Sequence, residues 1–455
     1  MTTSLTPPAT SPVAPATARP TSRPTAPPTQ PPGRDRFLDL VRTLAVVGVV
    51  VQHWTMPVLS YSDGVLTTGN ALSTPGWWVV TWLSQVMPLV FFAGGAANLI
   101  SLRRASSTRD WLAARLHRLL LPVLPLLAVW LLVPTLLRDL GAPEQPVAVA
   151  GAIAAQLLWF LAVYLLTVVT TPLLAAAHRR GGLATFGVVP AFAVAAAAVD
   201  VVRFGGLPQL AEVPVVGYAN AVFVWLAVAQ LGFHYADGGL ARLSTSRALA
   251  LSGAGFTGTA LLVAFGPYAQ SMIGMPGDAV SNMSPPAACL LTLAVGQIGL
   301  ALAVRPLLTR LAQRRCVSTA LAWAAPRFMS IYLWHMPALV VVAGVAVVGL
   351  GRATPQPGTV AWAATLPVWL AAAGLVLLLL VRVTGRFETA PPQRALETQT
   401  PAPLGRLVAA GLLGATGVLG LAATGFGNGP ELWAALIAGA YLLTKPVVGE
   451  ASREH

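Results

Sequence analysis

The chain has 455 residues, of which 56% are hydrophobic and only 9% are charged, and its formal net charge is +13. A soluble domain carries about 25% charged residues, so this composition excludes an ordinary globular surface. It also excludes a nucleic-acid-binding protein, which would display its Lys and Arg on a polar surface. The composition therefore predicts an all-α, polytopic protein embedded in a lipid bilayer.

Residues 1–33 are rich in Pro and Thr and lack an apolar segment, which predicts a disordered cytoplasmic tail. Twelve apolar runs follow, each long enough to cross roughly 30 Å of hydrocarbon. They lie at residues 38–58, 77–100, 119–137, 147–174, 183–201, 215–235, 247–268, 286–308, 328–349, 360–381, 405–424 and 431–447. The first ten predict a ten-span bundle over residues 34–387. The rest of the chain predicts a Pro-rich cytoplasmic linker at 388–404, a transmembrane two-helix hairpin at 405–448 and a cytoplasmic tail at 449–455.

The distribution of basic residues tests this order of spans independently. With the N-terminus placed in the cytoplasm, 24 of the 28 Lys and Arg residues fall on the cytoplasmic side. Arg138, Arg203 and Arg352 fall outside, and Arg42 lies within the first span. Such asymmetry is typical of membrane proteins, and one missed span would scramble it. The sequence thus predicts a cell-membrane protein with both termini in the cytoplasm.

The two cysteines and six histidines predict neither a disulfide nor a metal site. The residues from Cys289 to Cys316 read as one long helix, which would separate the two thiols by about 40 Å. The histidines are scattered along the chain without the close spacing of metal ligands, so no metal cofactor is expected.

The first span, RDRFLDLVRTLAVVGVVVQHW, contains two ionisable residues in an apolar helix, Arg42 and His53. Their separation of eleven residues places both on one face of the helix, with an axial offset of about 16 Å. Asp39, three residues before Arg42, can pair with the guanidinium. Ionisable residues inside a membrane are costly and indicate function. The alternative is that Arg42 snorkels to the headgroups while His53 bonds a neighbouring helix.

A second concentration of charge follows the second span, where Arg115 and Arg118 share a helical face. One guanidinium group can form two parallel hydrogen bonds with phosphate oxygens, so one interpretation is that these arginines bind a phosphate-rich ligand. Ordinary cytoplasmic loop charge is the other, and for this loop alone it is favoured.

The ninth span, in the segment PRFMSIYLWHMP, contains a third candidate pair, Tyr332 and His335, three residues apart on one face. A histidine within a span again indicates function, although a packed, hydrogen-bonded histidine is nearly as good an explanation. The long loop at residues 266–286 adds Asp278, Ser281 and Asn282 as possible contacts for a polar acceptor.

The second span contains the run FFAGGAAN. Gly94, Gly95, Ala96 and Ala97 would permit close helix contact, with Asn98 as a polar partner. Close packing is the simplest interpretation of this run.

Taken in order, four segments resemble the integral-membrane acyltransferase-3 family. LDLVRTLAVVGVVVQHW resembles the family's first-helix signature, an Arg, ten residues and a His. The residues from Arg115 to Arg118 resemble its R-x-x-R motif, FFAGGAA its F-x-x-S-G-F region, and SIYLWHMP its Tyr-Leu-x-His segment. The resemblance covers residues 34–387 and ten spans. It departs at Gly94, where the family usually has Ser, so no hydroxyl role is transferred to that position.

The resemblance implies transfer of an acyl group, often acetyl, from cytoplasmic acyl-CoA to a polar acceptor, often a sugar hydroxyl presented outside or in a cell-envelope precursor. Arg115 and Arg118 would then hold the CoA phosphates, and Arg42 would lie along the donor path. His53 would be the base or would itself carry the acyl group. His335 and Tyr332 would help to orient the acceptor.

Two other functions stay open on the sequence. A proton-coupled transporter or exporter of a small molecule would also place His53 and Arg42 inside a span. Such transporters commonly show broken helices and repeat symmetry, neither of which is evident here. A noncatalytic scaffold or lipid-presenting subunit would not need an Arg and a His aligned on one face.

Overall fold

The computed structural model describes residues 35–180, 183–205, 215–274, 280–388, 402–427 and 429–446. The tails predicted for residues 1–33 and 449–455 lie outside the described residues, as does most of the linker predicted for residues 388–404. Asp278, a candidate acceptor contact, also lies outside them.

The described residues form α-helices and one two-stranded hairpin. In chain order the helices are α1 Arg36–Thr55, α2 Thr81–Ser84, α3 Met87–Arg104, α4 Thr108–Leu120, α5 Val123–Asp139, α6 Glu144–Gln156, α7 Trp159–Arg179, α8 Leu183–Phe204, α9 Asn220–Ala236, α10 Thr245–Phe265, α11 Cys289–Ala303, α12 Arg305–Gln313, α13 Arg315–Ala324, α14 Phe328–Ala343, α15 Val360–Thr384, α16 Leu404–Thr424 and α17 Pro430–Leu443. The strands β1 Pro57–Ser62 and β2 Val65–Asn70 pair antiparallel. A π-helical turn, Gly344–Gly349, extends α14, and a 3-10 turn, Gly385–Glu388, extends α15.

Within the described ranges, ten helical stretches are long and apolar enough to cross a membrane, and the bent pair α11–α12 would make an eleventh. The prediction of an all-α, polytopic bundle is confirmed. Each apolar run predicted over residues 34–387 corresponds to one of the long stretches or to the bent pair. The predicted terminal hairpin corresponds to α16 and the shorter apolar helix α17.

The prediction of one long helix from Cys289 to Cys316 is wrong. α11 and α12 meet at a bend of 59° around Val304. Pro306, in the first turn of α12, has no N–H to donate and disfavours helical geometry at the residue before it. Cys316 lies exposed in the next helix, α13. The predicted separation of the thiols assumed a straight helix and therefore does not hold.

Small residues in α3 allow α9 to approach closely, as the run FFAGGAAN predicts. A Cβ at Gly95 would lie 2.1 Å from the carbonyl oxygen of Ala229 on α9. A Cβ at Gly232 on α9 would lie 2.2 Å from the carbonyl oxygen of Phe92. Such close approach strengthens van der Waals packing, which drives helix association in lipid. The two helices are thereby held backbone to backbone, and α3 also packs against α1, α7 and α11.

A β-hairpin follows α1, where the sequence predicted only the end of the first span. Asp63 and Gly64 have positive φ angles of 52° and 80°, which form the two-residue turn that suits an antiparallel hairpin. The Gln145 carboxamide joins this hairpin to α6, because it accepts from the Leu66 N–H and donates to the Leu66 carbonyl. The Asp-Gly pair is the sequence signal that could have predicted the turn.

The terminal hairpin of α16 and α17 packs directly against the other helices. A Cβ at Gly411 of α16 would lie 2.3 Å from Val169 Cγ2 on α7. One at Gly414 would lie 2.8 Å from Leu120 Cδ2 on α4. The hairpin thus supports α4, the helix that contains the predicted phosphate-binding arginines.

We predict that Gly95→Ala destabilises the protein by roughly 1–3 kcal/mol, because the added methyl group overpacks the contact between α3 and α9. Gly253→Ala in α10 is the matched control, since nothing lies within 4 Å of its Cβ position. Loss of that flexible glycine stabilises a helix by about 0.5–1 kcal/mol. Thermal unfolding of the purified protein in detergent measures both changes. A wild-type midpoint for Gly95→Ala would contradict the close contact.

Candidate active site

Two histidines from distant parts of the chain meet inside the bundle. His53, near the end of α1, and His335, in α14, stack with ring centroids 5.3 Å apart and ring planes at 20°. Nδ1 of His53 lies 3.0 Å from Nε2 of His335, which is hydrogen-bond distance. His335 is fully buried and His53 is partly buried. The sequence singled out both residues but did not predict that they touch.

A third group, the carbonyl oxygen of Tyr332, determines which ring nitrogens of this pair carry hydrogen. It lies 2.5 Å from Nδ1 of His335. A carbonyl oxygen only accepts, so Nδ1 of His335 carries the hydrogen. In a neutral ring Nε2 of His335 is then the acceptor, and Nδ1 of His53 donates to it. Nε2 of a neutral His53 therefore keeps an unshared electron pair. Such a nitrogen can take a proton from a bound hydroxyl group.

Hydrogen bonds from neighbouring aromatic residues hold the histidine pair in place. Trp54 Nε1 donates to the carbonyl oxygen of His335 at 2.8 Å, and Trp369 Nε1 on α15 donates to the carbonyl oxygen of Trp54 at 2.8 Å. The Tyr332 hydroxyl donates to the carbonyl oxygen of Leu157 at 2.6 Å. The Tyr332 hydroxyl is thus engaged by backbone, and this residue contributes its ring and its carbonyl oxygen to the site.

Arginines converge toward the other end of α1. The guanidinium carbon of Arg42 lies 4.1 Å from the ring centroid of Phe328, at the start of α14. A cation over an aromatic face is stabilised by the ring quadrupole. Arg115 and Arg118 are close enough to Arg42 to interact with it electrostatically, and so is Asp39. The structure therefore brings together the three arginines that the sequence singled out.

Helix α3 orients Arg115. Arg115 Nη2 donates to two acceptors on this helix, Ser101 Oγ at 2.6 Å and the Ala97 carbonyl oxygen at 3.3 Å. Arg118 lies exposed one turn later on the same face of α4. The charges of Arg115 and Arg118 oppose that of Arg42, and Asp39 offsets part of this repulsion.

Asn282, predicted as an acceptor contact, is buried within the loop that follows α10. Its Nδ2 donates to the carbonyl oxygens of Ala269, at 2.7 Å, and Ser271, at 2.8 Å. Both amide hydrogens are thus used to shape the loop. Contact of Asn282 with an acceptor stays a prediction.

Asp200 in α8 is a buried carboxylate that the sequence did not single out. It accepts from the Tyr268 hydroxyl at 3.1 Å, from Asn220 Nδ2 at 2.8 Å and from the Ala288 N–H at 2.6 Å. Burial and the adjacent Asp200 raise the pKa of Tyr268, so its hydroxyl stays protonated and keeps donating. These bonds attach the loop after α10 to α8 and α9.

The acyltransferase-3 family model, described as an acyltransferase domain, matches residues 35–385. The chain belongs to this family. The matched region contains both the histidine pair and the arginine cluster, and membership does not favour the transporter alternative. No curated protein and no solved structure matches the chain.

Gly94 departs from the acyltransferase-3 pattern, and its surroundings give a physical reason. A Cβ at Gly94 would lie 2.9 Å from Cε2 of Tyr164 on α7 and 3.3 Å from the Tyr164 hydroxyl oxygen. The tyrosine ring therefore takes the space that a larger residue at position 94 would need.

Glu388 lies just beyond the matched region of this acyltransferase, and the sequence assigned it to the linker. The structure places its buried carboxylate at the N-terminus of α14, where Oε1 accepts from the Met329 N–H and Oε2 from the Ser330 N–H, both at 2.8 Å. Ser330 Oγ also donates to Oε2 at 2.8 Å. A carboxylate at a helix N-terminus satisfies free N–H groups and complements the helix dipole. No sequence signal pairs residues so far apart.

Within the part of the chain that the structure describes, no three His, Cys, Asp or Glu side chains lie close enough to hold a metal ion.

We predict that Glu388→Ala destabilises the acyltransferase by roughly 1–3 kcal/mol, because it leaves the buried N–H groups of α14 without their acceptor. Glu431→Ala is the matched control, since Glu431 is also an acid in the first turn of a helix but is exposed. Its replacement should change stability little. Chemical unfolding of both variants measures the difference, and equal midpoints would show that Glu388 does not cap α14.

Proposed function

We propose that this acyltransferase moves an acyl group, acetyl in the simplest case, from cytoplasmic acyl-CoA to a hydroxyl group of a carbohydrate, cell-envelope component or metabolite. The observation that carries the proposal is the hydrogen-bonded line from His53 through His335 to the Tyr332 carbonyl oxygen. It leaves Nε2 of His53 with the unshared pair that a general base requires.

In the proposed reaction, the acceptor oxygen attacks the thioester carbonyl carbon while Nε2 of His53 takes the hydroxyl proton. The bond between the carbonyl carbon and sulfur then breaks. The CoA sulfur takes the proton from His53, so the products are an ester and the CoA thiol. His335 keeps its own proton throughout, and its Nε2 stabilises the charge that develops on His53. General-base assistance of this kind contributes about 10²–10⁴-fold to the rate.

The arginine cluster supports binding of the donor. Guanidinium groups form paired hydrogen bonds with phosphate oxygens, which suits Arg115 and Arg118 to the phosphates of CoA. Arg42 and His53 lie on one face of α1 with an axial offset of about 16 Å. A donor bound at its phosphates would therefore extend its thioester along α1, past Arg42, to His53.

The proposed orientation places both termini in the cytoplasm and the protein in the cell membrane. The arginine end of α1 then faces the cytoplasm, where acyl-CoA is found, and the histidine pair lies in the outer half of the bundle. The excess of Lys and Arg in the predicted cytoplasmic segments supports this orientation. Acyl transfer would then occur close to an acceptor presented from outside.

We predict that His53→Ala lowers the rate of acetyl transfer by about 10²–10⁴-fold, because it removes the proposed base. Arg42→Ala should weaken use of the donor by roughly tenfold, since it removes one charge-assisted contact. The assay follows radiolabelled acetyl groups from acetyl-CoA into an envelope or metabolite extract, with purified protein.

Arg138→Ala is the control for loss of an arginine, because Arg138 bonds only to Pro134 and Thr135 of its own helix among the contacts described. It should keep wild-type turnover. Wild-type turnover by correctly folded His53→Ala and Arg42→Ala would show that the assigned chemistry is wrong.

A further inference from the structure

Tyr164 is a partly buried residue of α7 that has no role in the proton transfer described above. Its ring stacks on Phe160 with centroids 5.6 Å apart and lies over the space left by Gly94 of α3. Arg115 bonds to Ala97 and Ser101 of α3, on either side of the Asn98 that Tyr164 faces. The phenol thus lies beside the arginine cluster, on the side formed by α3 and α7.

The face of α3 toward this phenol is polar. Gly94, Asn98 and Ser101 follow one another at helical spacing and therefore share a face. Ser101 holds Arg115, and Asn98 Oδ1 lies 3.5 Å from the Tyr164 hydroxyl oxygen. A distance of 3.5 Å is long for a hydrogen bond between a hydroxyl and a carbonyl oxygen. The Tyr164 hydroxyl is therefore only weakly engaged by the protein.

Next to the weakly bonded Tyr164 hydroxyl, the side-chain amide of Asn98 has an unsatisfied donor. The residue is fully buried, and its Nδ2 has no hydrogen-bond partner among the residues that the structure describes. A buried donor without an acceptor has a cost, because it has given up its hydrogen bonds to water. A ligand carbonyl oxygen beside Tyr164 would recover that cost.

A row of rings runs from Tyr164 to the histidine pair. Phe160 contacts Tyr332 with centroids 5.1 Å apart, and Tyr332 contacts His335 at 6.1 Å. His335 in turn stacks on His53. The row connects the arginine cluster with the site of proton transfer, so a donor that spans the two would lie along it.

We propose that Tyr164 and Asn98 bind the amide-bearing arm of the acyl donor between the arginines and the histidine pair. The Tyr164 hydroxyl donates to one arm carbonyl, and Asn98 Nδ2 donates to the same or the adjacent one. The aromatic row contacts the apolar parts of the arm. The inference rests on the proposed function, because it requires an acyl-CoA donor.

The test measures equilibrium binding of radiolabelled acetyl-CoA to the purified full chain. Tyr164→Phe removes only the hydroxyl and should raise the dissociation constant roughly three- to tenfold, the loss of one hydrogen bond. Tyr218→Phe is the control, since the Tyr218 hydroxyl bonds Ser284 in the loop after α10, and its affinity should be unchanged.

A pair of double variants separates the hydroxyl from the shape of the ring. In Tyr164→Ala, Gly94→Ser a hydroxyl returns close to the position of the lost phenol, because a Cβ at Gly94 lies 3.3 Å from that oxygen. Tyr164→Ala, Gly94→Ala has nearly the same shape and no hydroxyl. The Ser variant should bind acetyl-CoA at least threefold more tightly than the Ala variant.

Each outcome decides between the two proposals. Equal affinity of the wild type and a folded Tyr164→Phe would overturn the role of Tyr164 and leave the donor in place. Equal affinity of the two double variants would overturn it as well, even if Tyr164→Phe fails to fold. A wild type that does not bind acetyl-CoA would overturn both the donor and the contact.

Discussion

The hydrogen bond between His53 and His335 is the contact on which the rest of the site depends. It joins α1 to α14, across 282 residues of sequence. In the interior of the bundle, buried polar groups need hydrogen-bond partners from the protein. Because His335 also donates to the Tyr332 carbonyl oxygen, both hydrogen bonds in the line run the same way, from His53 to His335 and from His335 to Tyr332. The acceptor side of the line ends at a backbone carbonyl, and the basic side ends at Nε2 of His53. One backbone oxygen thus sets the tautomers of two rings.

The surrounding helices keep that contact in register. Glu388 fixes the start of α14, and Trp54 bonds the carbonyl oxygen of His335 one turn past Tyr332. Toward the other end of α1, the arginine cluster combines Arg42 with two arginines of α4. Ser101 of α3 orients one of these, and the terminal hairpin supports α4 from α16. In the proposed reaction, the arginines that would bind an anionic donor and the histidines that would move a proton are therefore kept apart along one helix. This separation would let the arginines attract phosphate without placing positive charge beside the proposed base.

The helices of this acyltransferase are largely predictable from sequence, because crossing hydrocarbon requires about 20 apolar residues in a row. The shared face of Arg42 and His53 is also predictable, since it depends only on helical period. Contacts between distant segments are not, which is why the pairing of His53 with His335 and the capping by Glu388 were missed. The break before Pro306 was missed because the apolar run 286–308 was taken as one span that includes this proline. Tyr164 gives no signal by itself, since only packing against α3 shows what it faces.

The hydrogen bond between the two histidines is tested most directly by comparing His335→Gln with His335→Leu. A Gln carboxamide oxygen can accept from Nδ1 of His53, and a Leu side chain of similar reach cannot. In the proposed reaction the His53 ring becomes charged, so the Leu variant lacks about one hydrogen bond to a charged group. Acetyl transfer by the Gln variant should be about tenfold faster than by the Leu variant, with equal affinity for acetyl-CoA. Equal turnover by two equally folded variants would contradict a role for this hydrogen bond in the proposed reaction.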